Sequence, residues 1–490
     1  MSDTEEFRPE ARSPRGFQDR RARDLAVEHA ILDKVSAVYE RYGFERLETP
    51  AFEFADALGK FLPDSDRPNE GVFALKDDDE QWMALRYDLT APLARFAAQN
   101  WDSLPKPFRR YAYGKVWRNE KPGPGRFREF IQCDADTVGS DRPEADAEIV
   151  AMAVEGLRAA GLPAGAAVLR INSRKLLNGL LAQARIDDPA QRLAVLRAAD
   201  KLDRLGEKGV RDLLGKGRMD ESGAFTPGAQ IAPAAVDSVM AFLRAGAGAR
   251  AEVLKTLEPV VGASAEGAEG LEDLARIDAA LVGMGVGEAD ARFDPAVVRG
   301  LEYYTGAVYE AELIAPGDER VSLGSIGGGG RYDDLVARFT GQRTPATGFS
   351  FGVSRLAAAL EAFEWLGASL PETRGPVVVT VFDQSLMGEY FGIVAELREA
   401  GIAAEVYLGG SGLKAQMKYA DRRLSPAVVI VGGDELANGT ATVKDLDLGR
   451  ALAAGVTDNQ AWREGRPGQL TVSRGELVGA VRRIVEAAAK

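Results

Sequence analysis

The sequence predicts an α+β protein in three parts: a core of mixed strands and helices, an α-helical insertion, and a C-terminal α/β domain. Three observations predict it. Residues 111–139 read as a two-stranded hairpin, with aromatic and β-favouring runs on either side of a turn rich in proline and glycine. Residues 170–287 are rich in alanine, leucine and charged residues at helical spacing and nearly lack aromatics. Beyond residue 375, short apolar runs alternate with helical segments, the pattern of an α/β domain. With 490 residues the chain is also past the ~250–300 at which single cores stop growing, so two or three domains are expected.

Residues 1–14 are polar and charged and read as frayed. A long helix is expected from about residue 20 to 41, with Ile31, Val35 and Val38 on one stripe and Gly43 as its stop. Residues 44–50 look like a strand ending in proline, which suits a sheet edge or an interface. Another strand is expected at 81–86, followed by Asp88-Leu89-Thr90 and a helix carrying Leu93 and Phe96.

In the hairpin, residues 111–118 form the first strand, 119–125 carry two prolines and two glycines, and 126–138 resume extended character. Period-two alternation puts Arg126, Arg128, Phe130, Gln132, Asp134 and Asp136 on one face of the second strand. Phe127, Glu129, Ile131, Cys133 and Ala135 take the other, mostly apolar face. On the first strand Arg118 and Glu120 share a face with Ala112 and Gly114, whose small size leaves room for a ligand. Two readings compete for this face: a ligand site and a salt-bridged outer sheet surface.

Residues 143–160 predict a helix. Within the insertion, Lys201, Arg204, Lys208, Arg211, Lys216 and Arg218 suit either an anionic partner or an ordinary solvated surface. Strand-like sequence returns at 293–313 and 321–327 and leads into Gly327-Gly328-Gly329-Gly330-Arg331-Tyr332-Asp333. Residues 347–351 read as a strand, and Gly352-Val353-Ser354-Arg355 opens an apolar helix to about residue 366. A linker is expected over 367–375. Strands at 376–382, 403–408, 427–431 and 440–445 then alternate with helices, and Ser473 with Glu476 makes a capping box for the last helix.

Composition narrows the chemistry. Hydrophobic residues at 46% and charged residues at 28% describe an ordinary globular protein. The sequence has no apolar run of ~18 residues and no secretory pattern, so a cytoplasmic protein without membrane association is expected. The lone Cys133 excludes an intrachain disulfide and a cysteine zinc cage, and its apolar face suggests a buried, inert thiol. The lone His29 excludes multi-histidine metal sites and is expected to be structural or at the surface. Catalysis is left to arginines, carboxylates, tyrosines and ligand-borne ions, with no metal held by the protein itself. The net charge of −13 argues against nucleic-acid binding by the whole surface. Residues 106–128 nevertheless hold Lys106, Arg109, Arg110, Lys115, Arg118, Lys121, Arg126 and Arg128 against one acid, Glu120.

Arg118 with Arg126, Arg299 and Arg355 are three arginine sites beside glycine or aromatic residues, a setting that suits bidentate recognition of phosphate or carboxylate. A triphosphate needs several such groups, usually with Mg²⁺. There is no G-x-x-x-x-G-K-[ST] and no G-x-G-x-x-G between a strand and a helix, so P-loop and Rossmann sites are excluded. Arg299 and Tyr304 would point to opposite faces of a regular strand and can meet only if Gly300 or a neighbour breaks the pleat.

Arg118, Glu120, Arg126 and Phe130 resemble motif 2 of class II aminoacyl-tRNA synthetases, Arg-x-Glu, a loop, then Arg-x-x-x-Phe. Residues 347–355 resemble motif 3, and the helix–strand unit ending at Pro50 resembles motif 1. Within that class, residues 299–304 and 328–333 look like the two signatures of the histidyl-tRNA synthetase family, and residues 413–421 and 434–440 look like its anticodon-binding domain. The resemblance runs from residue 16 to about 490.

It implies a mainly antiparallel sheet flanked by helices. The core would occupy 1–169 and 288–370, interrupted by the insertion at 170–287, with the anticodon-binding α/β domain at 375–490. It implies ATP with ATP-borne Mg²⁺, L-histidine and histidine tRNA as partners, and a homodimer. Arg118 would hold the ATP α-phosphate, with Glu120 beside it, Arg126 and Arg355 the γ-phosphate end, and Phe130 would stack on adenine opposite Arg355. Arg299 would stabilise the charge that develops as the histidine carboxylate attacks phosphorus. Asp88, Thr90 and Gln132 would hold the amino acid's α-amino group and backbone, and Asp136, Tyr304 and Tyr332 would read the imidazole.

The sequence departs from the family pattern at several places. Where many bacterial members have Glu-Arg-Pro-Gln in the motif 2 loop, this chain has Glu120-Lys121-Pro122-Gly123, so Lys121 and Gly123 would meet the acceptor end of the tRNA differently. Ser354 replaces the usual glutamate before the motif 3 arginine, and Asp88 and Asp136 stand where many members use glutamate. Two rivals keep the same fold: a non-catalytic histidine-sensing regulatory subunit of ATP phosphoribosyltransferase, and a class II synthetase for another amino acid. The intact arginine set and the C-terminal domain count against the first, and residues 299–304 against the second.

Overall fold

Ile31, Val35 and Val38 lie 2%, 0% and 0% exposed on one side of the helix Ala22–Arg41, which ends where Gly43 turns the backbone to φ +79°. That apolar stripe packs, with the helices Pro143–Ala160 and Val353–Ala362, on one face of a large sheet. The computed structural model describes residues 8–61, 71–123, 126–219, 223–298, 304–314, 324–365, 374–453 and 468–488.

The sheet has eight strands: β1 (Glu45–Arg46), β2 (Phe108–Trp117), β3 (Glu129–Val138), β4 (Ala167–Ser173), β5 (Ala291–Phe293), β6 (Ala307–Leu313), β7 (Gly327–Arg331) and β8 (Ala346–Gly352). Their order across the sheet is β1-β2-β3-β8-β7-β6-β4-β5. The six central strands are antiparallel throughout, and only the edge pairs β1–β2 and β4–β5 are parallel.

The apolar face of β3 is buried as its parity requires. Cys133 and Ala135 are 1% and 0% exposed, the Tyr39 hydroxyl donates to the Cys133 carbonyl, and Tyr39 stacks on Phe351 of β8. Burial pushes the Cys133 thiol far up, so it stays protonated and inert. His29 is on the exposed side of its helix. The other face of the sheet is left to the polar residues of β2, β3 and β8.

β7 is the strand that sequence pattern identifies least well, because a run of glycines has no β-propensity of its own. It forms because β6 and β8 offer it hydrogen bonds on both sides. A Cβ on Gly329 would lie 2.0 Å from the Gly348 carbonyl oxygen, so only glycine lets β7 and β8 approach this closely. The strand-like stretch at 293–313 resolves into β5 and β6, and residues 315–323 and 299–303 lie outside the described residues.

β4 runs to Ser173, so residues 170–173 belong to the sheet, and the helical segment follows from Arg174 to Gly283 with one small hairpin, Gly217–Met219 and Phe225–Pro227. Its last helix, Ala265–Gly283, packs on Pro143–Ala160, with Arg276 donating to Glu144 at 2.8 Å. Of its basic residues, Arg211 is paired with Asp237 at 2.9 Å.

The chain divides into two compact units, 1–367 and 368–490. The second has its own five-stranded sheet and a core of Val377, Val379, Ile393, Leu397, Val429, Val443, Leu477 and Val481. The strand Gln469–Ser473, which the sequence pattern does not announce, completes that sheet, and Glu476 accepts from both the Ser473 amide and hydroxyl, as a capping box does.

Candidate active site

Register builds the site from three neighbouring strands. On the open face of the sheet Arg110 of β2, Asp136 of β3 and Gly348 of β8 lie in one row. Ala112, Asp134 and Ser350 form the next row, and Gly114, Gln132 and Gly352 the third. Period-two alternation therefore places Gln132, Asp134 and Asp136 together, and all three are at least nine-tenths buried. A salt-bridged outer surface would be wet, so this burial counts against that reading at this part of the face.

The first row is an ionic pair in a dry setting. Arg110 is 0% exposed, forms an ion pair from Nη2 to Asp136 Oδ2 at 3.0 Å and donates to the Leu89 carbonyl at 2.8 Å, while among the described residues its Nε and Nη1, like Asp136 Oδ2, find no hydrogen-bond partner. The Tyr332 hydroxyl donates to the other Asp136 oxygen. Burial pushes the Asp136 carboxyl up, and Arg110 and Tyr332 oppose that push. Burial likewise disfavours the Arg110 cation, but Asp136, Asp134, Tyr332 and Asp88 outweigh it and raise its pKa. A Cβ on Gly348 would lie 1.9 Å from Asp136 Oδ1, so glycine at 348 is what lets this carboxylate lie over β8.

Sequence reasoning counts Arg110 in the basic stretch but misses its role. The available signal was parity, since Arg110 shares the strand face of Ala112, Gly114 and Arg118. The basic stretch is also less of a surface footprint than its composition implies: Arg109 pairs with Glu148, and Lys115 with Glu129 at 2.8 Å. The room expected beside Gly114 is occupied, because a Cβ there would lie 2.5 Å from Arg86 Nη2. Arg86 is held in that place by the carbonyls of Lys115 and Thr49 at 3.0 and 2.7 Å.

Asp88 uses Oδ1 to accept from the amides of Thr90 and Ala91 at 3.1 and 2.9 Å, which sets the first turn of the helix Thr90–Asn100 beside the site. Its pKa is raised by burial, against the Ala91 amide and Arg118. Arg118 donates from Nε to the Tyr87 carbonyl at 3.1 Å, and its guanidinium stands 5.2 Å from the centre of the Phe130 ring. The structure thus sets Arg118, Phe130, Gln132 and Asp136 along the hairpin, with Arg118 and Phe130 near its turn and Asp136 toward its far end, and Asp88 and Thr90 beside it. Tyr304 and Tyr332 pack in the same cluster, and a Cβ on Gly330 would lie 2.8 Å from the Tyr304 ring. Arg299 lies outside the described residues, so the question of its face stays with the sequence.

Arg355 donates to the Ser325 carbonyl at 2.6 Å from the start of the helix Val353–Ala362. Ser354 beside it accepts from the Ile131 amide at 3.3 Å and donates to Glu28 at 2.7 Å, and Glu28 is also held by Arg20. A carboxylate 3% exposed, from the helix Ala22–Arg41, thus stands against Ser354. In the hairpin loop Lys121 and Arg126 are exposed, Arg126 stands 3.7 Å from Glu120, and Gly123 and Arg126 exchange backbone hydrogen bonds that close the turn. Pro124 and Gly125 lie outside the described residues. Arg331 has a structural job: it donates to Asp146 at 2.9 Å and to the carbonyls of Ser140 and Arg142, latching the start of the helix Pro143–Ala160.

A six-stranded antiparallel centre, a hairpin with Arg118 and Phe130 on its open face, and a strand–helix turn carrying Arg355 together define a class II aminoacyl-tRNA synthetase core. Residues 16–356 match the family model described as histidyl-tRNA synthetase, and residues 376–483 match an anticodon binding domain. The chain belongs to the histidyl-tRNA synthetase family. It is 71% identical over 487 residues to the histidine–tRNA ligase of Caulobacter vibrioides, covering 98% of each chain. Identity to the histidine–tRNA ligase of Brucella suis is 53% over 489 residues, covering 98% of this chain and 97% of that one. Among solved structures, the histidyl-tRNA synthetase from Nostoc sp. PCC 7120 superposes with a TM-score of 0.72 at 30% identity, covering 97% of this chain and 100% of that one.

Proposed function

We propose that this histidine–tRNA ligase works in two steps, forming a histidyl-adenylate from L-histidine and ATP and then passing the histidyl group to the terminal ribose of histidine tRNA. The observation that carries the reading is the buried row Arg110–Asp136–Tyr332 beside Arg118 on the hairpin face. In the first step the histidine carboxylate attacks the α-phosphorus and pyrophosphate leaves. Arg118 holds the α-phosphate, with Arg299 neutralising the charge that builds on the carboxylate and phosphate oxygens. Removing one such preorganised donor typically costs ~10²–10³ in rate. Arg126 and Arg355 take the γ-phosphate end, Glu120 lies beside them, and Phe130 offers a face to adenine.

Mg²⁺ arrives with ATP in this scheme and neutralises phosphate charge. Among the described residues no group of three or more His, Cys, Asp or Glu side chains is arranged to hold a metal by itself. Asp88, Thr90 and Gln132 hold the amino acid's backbone end. Asp136 accepts from the imidazole, with Tyr304 and Tyr332 beside it. Two buried hydrogen-bonding groups aimed at ring nitrogens reject analogues lacking them by ~10⁴–10⁵, since those groups would be left unpaired.

Cytoplasmic location and a homodimer belong to the same proposal. The motif 1 resemblance supports the dimer, and no described helix is long and apolar enough to cross a membrane. In the loop, Lys121 puts a point charge where many relatives have an arginine fork, and Gly123 has no side chain to offer a base. The acceptor end is therefore read without dependence on an extra 5′ guanosine. Aminoacylation of transcripts with and without that nucleotide tests both claims: comparable charging is expected, and a loss of several hundredfold without it would refute the second. A pure, folded protein without histidine-dependent ATP–pyrophosphate exchange would refute the first and favour a histidine sensor.

A further inference from the structure

Ser350 of β8 sits between two residues of β3 and fixes both. Its hydroxyl accepts from Gln132 Nε2 at 2.7 Å, which puts the Gln132 amide nitrogen toward Ser350 and Oε1 away from it. Ser350 also stands opposite Asp134 in the strand register, close enough to pull that carboxyl's pKa down. Among the described residues Gln132 Oε1 and Asp134 Oδ1, both buried, have no hydrogen-bond partner, on side chains 8% and 2% exposed.

Two adjacent acceptors left unpaired in a dry place cost stability, ~1–3 kcal/mol for each neutral group and more for a charged one. Such a cost is repaid only when a donor arrives. The donor needs several N–H groups and, because one acceptor is a carboxylate, a positive charge. A primary ammonium fits, with N–H donors enough for Gln132, Asp134 and a neighbour. Asp136, one row further along, accepts from Tyr332 with one oxygen and faces Arg110 with the other; the histidine-binding reading above gives it the ring, which leaves Asp134 toward the backbone end.

We propose that Asp134 is a further substrate-binding residue, taking the α-ammonium of histidine with its unpaired oxygen beside Gln132, and that Ser350 is the positioning residue that aims both. This rests on the histidine-binding reading above. Nearby charged groups are Arg110 and Asp136 on the same face and Arg86 and Asp88 from the adjoining elements. Arg110 makes no ion pair with Asp134, so the carboxylate is not already neutralised by contact.

The test is ATP–pyrophosphate exchange with the full-length enzyme, read as KM for histidine, KM for ATP, and the inhibition constant of 3-(imidazol-4-yl)propionate, which lacks the amino group. Asp134→Asn keeps the shape and removes the charge. It should raise the histidine KM about 10–100-fold, the worth of a charged hydrogen bond, with the ATP KM and the des-amino inhibitor unchanged within about threefold. Ser350→Ala, which leaves both acceptors in place but unaimed, should raise the histidine KM about 3–10-fold with the same insensitivity of the inhibitor. Equal weakening of histidine and the des-amino analogue would mean a structural role and overturn the proposal, as would an unchanged histidine KM in both variants. Absence of histidine-dependent exchange in the parent enzyme would instead overturn the reading on which the proposal rests.

Discussion

The carboxyl of Asp134 lies 2% exposed, well away from water. Burial pushes it from 3.8 up to about 8, with Arg110 pulling down and Asp136 pushing up. Without histidine the folded protein thus keeps a proton on Asp134 that the unfolded chain releases near pH 3.8, and an α-ammonium arriving beside it would displace that proton and pair with the carboxylate. Stability from this group is complete below that pH and is lost as pH rises toward about 8. Without histidine, the stability of the parent enzyme relative to Asp134→Asn should fall by up to about 1.4 kcal/mol per pH unit between pH 5.5 and 7.5. Urea unfolding of both proteins at several pH values measures it, and parallel curves would contradict the assignment. Residues of this kind were half legible. Alternation put Gln132, Asp134 and Asp136 on one face, yet it could not say that Arg110, counted as surface charge, is sealed beneath them. Only the register of β2 against β3 and the cover from the helix Thr90–Asn100 decide that.

Among elements, β7 and β8 argue most directly for why glycine stands where it does. The two strands are paired along their length, yet their glycines serve different ends. A Cβ at Gly329 meets backbone, the Gly348 oxygen at 2.0 Å, whereas a Cβ at Gly348 meets first the Asp136 side chain, at 1.9 Å, and the Ala135 carbonyl only at 2.9 Å. Gly329→Ala should therefore push the strands apart and cost about 3 kcal/mol or more, on the scale of severe overpacking. Gly348→Ala should displace Asp136, leaving the fold in place and raising the histidine KM about tenfold or more with little change for ATP. Thermal melts and exchange kinetics on the two variants separate these outcomes, and identical behaviour would contradict them. Helices were more legible than strands. The helix Pro143–Ala160 announces itself by its proline start and its glycine stop, both local signals. The short edge strands, β7, and the strand Gln469–Ser473 depend on partners distant in sequence, and pattern reading had no access to those. The Ser354–Glu28 bond is of the same kind, joining positions 326 residues apart.

On the scale of the whole molecule, every site residue named above precedes residue 356, while residues from 368 on form a unit with its own buried core. The periodicity and the switch from helical to α/β pattern make this division visible in the sequence, because each unit must bury its own apolar residues. If each unit is stable alone, the two partial functions should separate. A chain ending at residue 367 should keep histidine-dependent ATP–pyrophosphate exchange, with KM values for histidine and ATP within about threefold, since every residue proposed for adenylate formation lies in the first unit. It should lose charging of histidine tRNA by about 10²-fold or more, because a tRNA held at two places gains effective concentration at the second, and removing one hold forfeits that gain. The piece from residue 374 to 490 should unfold cooperatively in urea, its size being ordinary for an independent domain. Equal loss of exchange and charging in the truncated chain would mean that the second unit supports the site itself. Equal retention would mean that tRNA recognition lies wholly with the first unit and its hairpin loop around Lys121.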